Sequence, residues 1–212
     1  IKVIFLAFIM IGLCACTNEV EDTNEVEHTN NDTANITQGT ISPYKMTDRE
    51  INLLQSVVSL NHCGLFSFHA PEGTISLHFD FYQLDENNQW ERKSRGGVLG
   101  EPDGTDSNLE GFFSVIRQVD YSYEFRINYL GLGTYKATPF KTPPTNMTYF
   151  TSFLPEEETI TLNEEIPVAL MVYEGDDEFY LDYCLQDYYN PQKFAEKDIV
   201  FAVVLTFYDH ET

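Results

Sequence analysis

Ile75-Ser76-Leu77-His78-Phe79-Asp80-Phe81-Tyr82 alternates apolar and polar side chains, the period of a strand with one face in a core and the other turned away from it. Asp85-Glu86-Asn87-Asn88 follows as a turn and sends the chain back through Gln89-Trp90-Glu91-Arg92-Lys93, so a hairpin is expected. Glycines 96, 97, 100 and 104, with Pro102, then read as a loop.

The same period continues outward from this hairpin. From residue 113 to 129 the odd positions are apolar (Phe113, Val115, Val119, Tyr121, Tyr123, Phe125, Ile127, Tyr129), and Arg117 interrupts the row. Two strands joined near Gln118-Val119-Asp120 fit better than one long bent strand. Further strands are expected over 133–138, 147–154, 159–162, 168–173, 179–183 and 199–208, with Glu174-Gly175-Asp176-Asp177 as another hairpin turn. A single helix is expected over 48–60: Thr47 with Glu50 forms a capping box, and Ile51, Leu54, Val57 and Val58 recur at helical spacing, a stripe read as packing onto a sheet. Many short strands, one helix and no βαβ alternation predict a mainly β fold: an antiparallel β-sandwich, with an immunoglobulin-like arrangement as one candidate, preceded by one short N-terminal helix.

At the N-terminus, Val3 to Gly12 is an apolar run of signal-peptide length, short of the ~20 residues of a transmembrane helix. It ends in Leu13-Cys14-Ala15-Cys16, which resembles the lipobox of bacterial lipoproteins: Leu, a small residue, then the cysteine that is lipidated. The resemblance implies a signal peptide over 1–15, cleavage before Cys16 and lipid on that cysteine. Residues 16–42 include the tandem hexapeptide Thr17-Asn18-Glu19-Val20-Glu21-Asp22 and Thr23-Asn24-Glu25-Val26-Glu27-His28. So polar and acidic a stretch has too little to bury to offset its ordering entropy, and it is read as a disordered tether. One domain is expected over 43–212.

The formal net charge is −22, which repels phosphate backbones and anionic lipid surfaces, so no nucleic acid partner is expected and covalent lipid is the expected membrane contact. If Cys14 leaves with the signal and Cys16 carries lipid, Cys63 and Cys184 remain. They form either a disulfide, worth a little under ~5 kcal/mol on the chain-entropy model, or two free thiols.

No catalytic signature stands out: the chain has no G-x-S-x-G, no H-E-x-x-H and no P-loop. No cofactor or metal is expected. His69 and His78, placed to meet across strands, lack a third ligand. Asp85-x-Asn87-x-Gln89-x-Glu91 starts like a calcium loop but has Trp90 where glycine is required and Gly96 where the bidentate glutamate is required. Asp103, Asp106, Asn108 and Glu110, and Glu174, Asp176, Asp177 and Glu178, either read as solvated turns or supply oxygen ligands for calcium from loops of the sandwich. Among the aromatics, Trp90, Tyr188 and Tyr189 are the ligand-binding candidates, beside Tyr121, Tyr123 and Tyr183.

The strand pattern, with Glu164-Glu165-Ile166-Pro167-Val168 and the last strand Val200 to Phe207, resembles small secreted lipoproteins of Gram-positive bacteria, a resemblance that implies no activity. The expected function is that of a noncatalytic binding or interaction module, lipid-anchored on the extracytoplasmic face of a bacterial membrane, with a protein or glycan partner. The alternatives are an envelope-acting hydrolase using carboxylates such as Asp80, Glu124 and Asp182, or a structural or lipid-trafficking component.

Overall fold

The computed structural model describes residues 36–56, 59, 62–100, 109–129, 131–138, 147–175, 183–195, 197 and 199–211. The expected signal peptide, Cys16 and most of the expected tether lie outside these residues. In chain order the described elements are β1 (Thr40–Pro43), α1 (Asp48–Gln55), β2 (Cys63–His69), β3 (Ser76–Leu84), β4 (Trp90–Leu99), β5 (Glu110–Arg117), β6 (Tyr123–Asn128), β7 (Leu132–Ala137), β8 (Thr148–Phe153), β9 (Glu158–Thr159) and β10 (Glu165–Glu174). Two 3-10 helices (Leu185–Tyr189 and Pro191–Phe194) and β11 (Ile199–Tyr208) complete the set. The strands form two antiparallel sheets, ordered β7-β6-β5-β2-β1-β9 and β4-β3-β11-β10-β8, which makes the fold the expected mainly β sandwich with one α-helix. Sheets of six and five strands exceed the seven to nine of an immunoglobulin domain, so the likeness to that domain stops at architecture.

Ser76 to Tyr82 of the alternating stretch form the body of β3, and Ile75 lies just ahead of it, exposed. Leu77, Phe79 and Phe81 face inward and are fully buried, and the chain returns through β4 with Asp80 opposite Arg95. The turn is held by Asp85, whose carboxylate accepts the N–H groups of Asn87 and Gln89, both at 2.8 Å, while Asn88 takes the left-handed conformation at φ 58°. The row of odd apolar positions divides as expected into β5 and β6, joined by a turn in which Ser122 N–H donates to Asp120 at 3.0 Å.

Gly96 and Gly97 lie inside β4 rather than in a loop. A Cβ on Gly96 would stand 2.4 Å from the Phe79 ring and 2.8 Å from Tyr135, and one on Gly97 would stand 2.5 Å from the Leu77 carbonyl oxygen. Glycine there lets the edge of the second sheet close onto β7 of the first, where the Tyr135 hydroxyl donates to the Gly97 carbonyl. The core between the sheets is aromatic: Phe79 packs 4.5 Å from Phe125 and Phe81 5.3 Å from Phe201, centroid to centroid.

Three further departures have local causes. Thr40–Pro43, assigned by composition mostly to the tether, pairs with β2 and β9, so the sheet begins ahead of Pro43. The helix is described over Asp48–Gln55 with the expected capping box: Glu50 N–H donates to Thr47 Oγ1 and Thr47 N–H to Glu50. None of its residues is buried and Leu53 is 68% exposed, so its apolar stripe is only partly covered. Finally, β10 and β11 are buried on both faces, because the first 3-10 helix packs on β10 and inserts Leu185 and Tyr188. The expected strand over 179–183 lies outside the described residues apart from Tyr183, which is not in a strand.

Candidate functional site

An open groove of about 910 Å³ lies between α1 and the outer face of the first sheet. Strand alternation builds it. Residues facing the core at Phe113, Val115, Phe125 and Ile127 leave Phe112, Ser114 and Ile116 of β5 and Glu124, Arg126 and Asn128 of β6 on the outer face. Register sets them in rows: Asn128 beside Phe112, Arg126 beside Ser114 and Leu65, Glu124 beside Ile116 and Cys63. Tyr44 makes an edge contact with Phe112 at 5.4 Å and donates its hydroxyl to Glu50 of α1 at 2.8 Å, tying the helix to the groove wall. Leu54 and Ser59 line the helix side.

Beyond the Glu124 row the groove reaches the end of the sandwich, at His62, Arg117, Gln118 and Tyr121. Arg117 has the inward-facing parity that made it break the apolar row of the sequence. Its guanidinium stacks over Tyr149 at 4.2 Å and lies 5.5 Å from Tyr121. One terminal nitrogen lies 2.8 Å from His62 Nε2, which also contacts the Tyr149 hydroxyl. Tyr149 stacks on Tyr173 at 5.9 Å, and the Tyr173 and Tyr123 hydroxyls are 2.7 Å apart. Burial raises both of those phenols, so the cluster is neutral apart from Arg117. Burial, and then the Arg117 charge, hold His62 below the ordinary histidine range. Among the described residues Arg117 makes no ion pair, and its Nε–H is buried without an acceptor.

Burial pushes the Cys63 thiol up, away from thiolate formation, and the neighbouring imidazole of His62 is engaged by Arg117 and Tyr149. Arg126 is paired with Glu124. Among the described residues no three His, Cys, Asp or Glu side chains are grouped to hold a metal ion, and no helix is long and apolar enough to cross a membrane.

The candidate residues named from the sequence are distributed differently. Trp90, Tyr188 and Tyr189 do come together: Trp90 stacks on Tyr188 at 5.2 Å and donates its indole N–H to the Tyr188 carbonyl at 2.9 Å. Their polar ends are spent internally, since Tyr82 and Tyr188 donate to the two oxygens of Glu165 at 2.9 and 2.7 Å and Tyr189 donates to the Glu165 carbonyl at 3.1 Å. Tyr188 is buried and only Tyr189 is well exposed, so this cluster clamps the first 3-10 helix onto the second sheet instead of offering a platform. Beside Tyr189 a cleft of about 160 Å³ opens, lined in part by Glu158, Glu164 and Glu165.

Cys63 and Cys184 are free thiols and the bridge is absent. Cys63 opposes Ile116 in the first sheet, whereas Cys184 precedes the 3-10 helix packed on the second. His69 and His78 belong to strands of different sheets and are not cross-strand neighbours. Asp80 lies on the outer face of the second sheet and Glu124 on the outer face of the first, so a double layer of strands separates them. Both oxygens of Asp80 accept from Arg95, at 2.8 and 2.7 Å, and Arg92 lies 3.6 Å away. Glu174 pairs with Lys197, and Glu110 opens β5. Asp182, Asp103, Asp106, Asn108, Asp176, Asp177 and Glu178 lie outside the described residues.

Arg117 is the residue whose role the sequence only hinted at: a charge inside an apolar alternation signals a functional or network position, but its partners His62 and Tyr149 are remote in sequence. No family model matches the chain, and neither a curated protein nor a solved structure does so.

Proposed function

We propose that this chain is a noncatalytic binding module, held at the extracytoplasmic face of a bacterial membrane by lipid on Cys16, with its ligand seat in the groove between α1 and the first sheet. The observation that carries the binding reading is the groove itself. Its volume of about 910 Å³ falls within the ~300–1,000 Å³ of small-ligand sites, and Leu54, Leu65, Phe112 and Ile116 alternate along it with polar side chains. Phe112 is partly exposed there and Leu132 largely so, although neither is needed by the core. The lipobox and the acidic spacer support the address, because a surface of this charge has no electrostatic affinity for anionic lipid.

The hydrolase alternative draws nothing from Asp80, whose oxygens are engaged by Arg95, or from Glu124, which is paired with Arg126. A hydrolase of the two-carboxylate kind needs one carboxyl group with a proton to give and a second within reach of the same substrate.

The test is Ser114→Phe, which projects a ring into the groove from the outer face of β5, where Ser114 is 8% exposed. The wild-type chain is expected to retain a saturable ligand from envelope extract or a peptide and glycan array, and Ser114→Phe to lose it while still unfolding cooperatively, at a cost of about 1–3 kcal/mol for the added bulk. Equal retention by both chains, or by neither, overturns the reading.

A further inference from the structure

Building on the groove as ligand seat, we propose that its ligand is the free C-terminus of an uncharged, apolar peptide, with the terminal carboxylate at Arg117 and the preceding side chains laid over Ile116, Leu65 and Phe112. Among the described residues no acidic side chain is paired with Arg117. Its charge is met by the faces of Tyr149 and Tyr121 and by neutral polar groups, and its Nε–H has no acceptor. A desolvated guanidinium is stabilised by a carboxylate, which takes two of its N–H donors at once. The other arginine lining the groove, Arg126, already has Glu124. Among the described residues, then, the groove presents at one end a guanidinium with no carboxylate partner.

The rest of the groove identifies what that carboxylate is attached to. Ser114, Gln118, Glu124 and Asn128 are interspersed with Leu65, Phe112 and Ile116. A hydrocarbon tail would desolvate these polar groups without replacing their hydrogen bonds, at a cost of roughly 1–3 kcal/mol each. A peptide backbone offers both N–H and C=O along its length. From the Glu124 row to the Asn128 row the strands advance roughly 13 Å at ~3.3 Å per residue, room for about four extended residues. A net charge of −22 repels a polyacidic segment, which leaves a single terminal carboxylate on an otherwise neutral peptide as the favoured anion.

The experiment is fluorescence anisotropy of the full-length chain with labelled pentapeptides of Leu, Val, Phe, Ser and Gly, each as free acid and as C-terminal amide. Free acids are expected to bind saturably and amidation to weaken binding at least tenfold, the loss of a charge-assisted hydrogen bond. Arg117→Gln is expected to reduce acids to the level of amides, and Arg117→Lys to restore part of the difference. The acid and amide pair on the wild-type chain stands alone if the variants fail to fold. Equal binding of acid and amide, both lost in Ser114→Phe, overturns the carboxylate and leaves the groove reading intact. Binding of neither form, or binding of octanoate without any peptide, overturns the peptide ligand, whereas the groove reading falls only with its own Ser114→Phe test.

Discussion

The guanidinium of Arg117, at the end of β5 in one sheet, stacks 4.2 Å from the ring centroid of Tyr149, on β8 of the other. The two sheets are thus joined at this end by a cation on an aromatic face rather than by apolar contact alone. Phe66 and Phe153, 6.3 Å apart, continue the seam inward.

A double-mutant cycle on this pair measures the joint. Arg117→Met and Tyr149→Leu are each expected to destabilise the chain, with a coupling of about 0.5–2 kcal/mol between them, the range for cation–π contacts that are partly desolvated. Urea unfolding followed by the fluorescence of Trp90, the single tryptophan, reads it. Strict additivity would show that the stacking contributes nothing.

His62 gives the same cluster a pH signature. Burial first, and Arg117 second, depress its folded pKa below the ~6.5 of the unfolded chain. Above pH ~6.5 both states carry neutral imidazole and His62 adds no slope. Below it the unfolded chain binds the proton first, so stability falls with pH until the folded pKa is reached. His78, depressed by burial and Arg95, has the same sign, so the His62 share is isolated by His62→Gln. That variant should show a shallower fall in melting temperature between pH ~6.5 and ~5, and an unchanged slope would remove His62 from the linkage.

Much of the fold was legible because strand alternation is a local signal. The β3–β4 hairpin and the break between β5 and β6 follow from period two and turn residues, and β11 from a continuous apolar run of strand length. Gly96 and Gly97 misled because glycine marks loops by composition, while here it makes room for Phe79 and the Leu77 carbonyl. The 3-10 helices gave no periodic signal; what fixes them is Trp90 and Glu165, far away in the chain. The groove was invisible for the same reason, since Tyr44, Leu65, Ser114 and Arg126 become neighbours only through strand register.

Free thiols at Cys63 and Cys184 make redox conditions irrelevant to stability. A reductant is expected to leave the melting temperature of the folded domain unchanged, where loss of a native bridge would cost about 2–5 kcal/mol. Alkylation resolves the two sites: the exposed Cys184 should react with iodoacetamide well before Cys63, whose thiol is raised by burial. A reductant-dependent drop in melting temperature would restore the bridge.

The lipobox is tested by Cys16→Ala. Two or three acyl chains, at roughly 0.8 kcal/mol per buried CH₂, far exceed the marginal hold of one chain. Removing their attachment point is expected to leave the precursor uncleaved or to release the protein into the medium. Fractionation that finds the variant still processed and membrane-bound contradicts lipid at Cys16.

Asp80 and Arg95 face each other directly across β3 and β4, and Asp80 is 1% exposed. Breaking such a pair from one side leaves a charge in a place chosen for its counter-ion, so the two single substitutions and the double should not add. Arg95→Leu strands the buried carboxylate, and the expected loss is about 3 kcal/mol, at the low end for buried pairs. The low end applies because the Arg95 side chain is 34% exposed and Arg92 remains 3.6 Å from the same carboxylate. Adding Asp80→Leu removes the stranded charge and is expected to recover at least half of that loss in urea unfolding. A double variant as unstable as the two singles combined would mean that Asp80 and Arg95 act independently, with the bidentate contact incidental to stability.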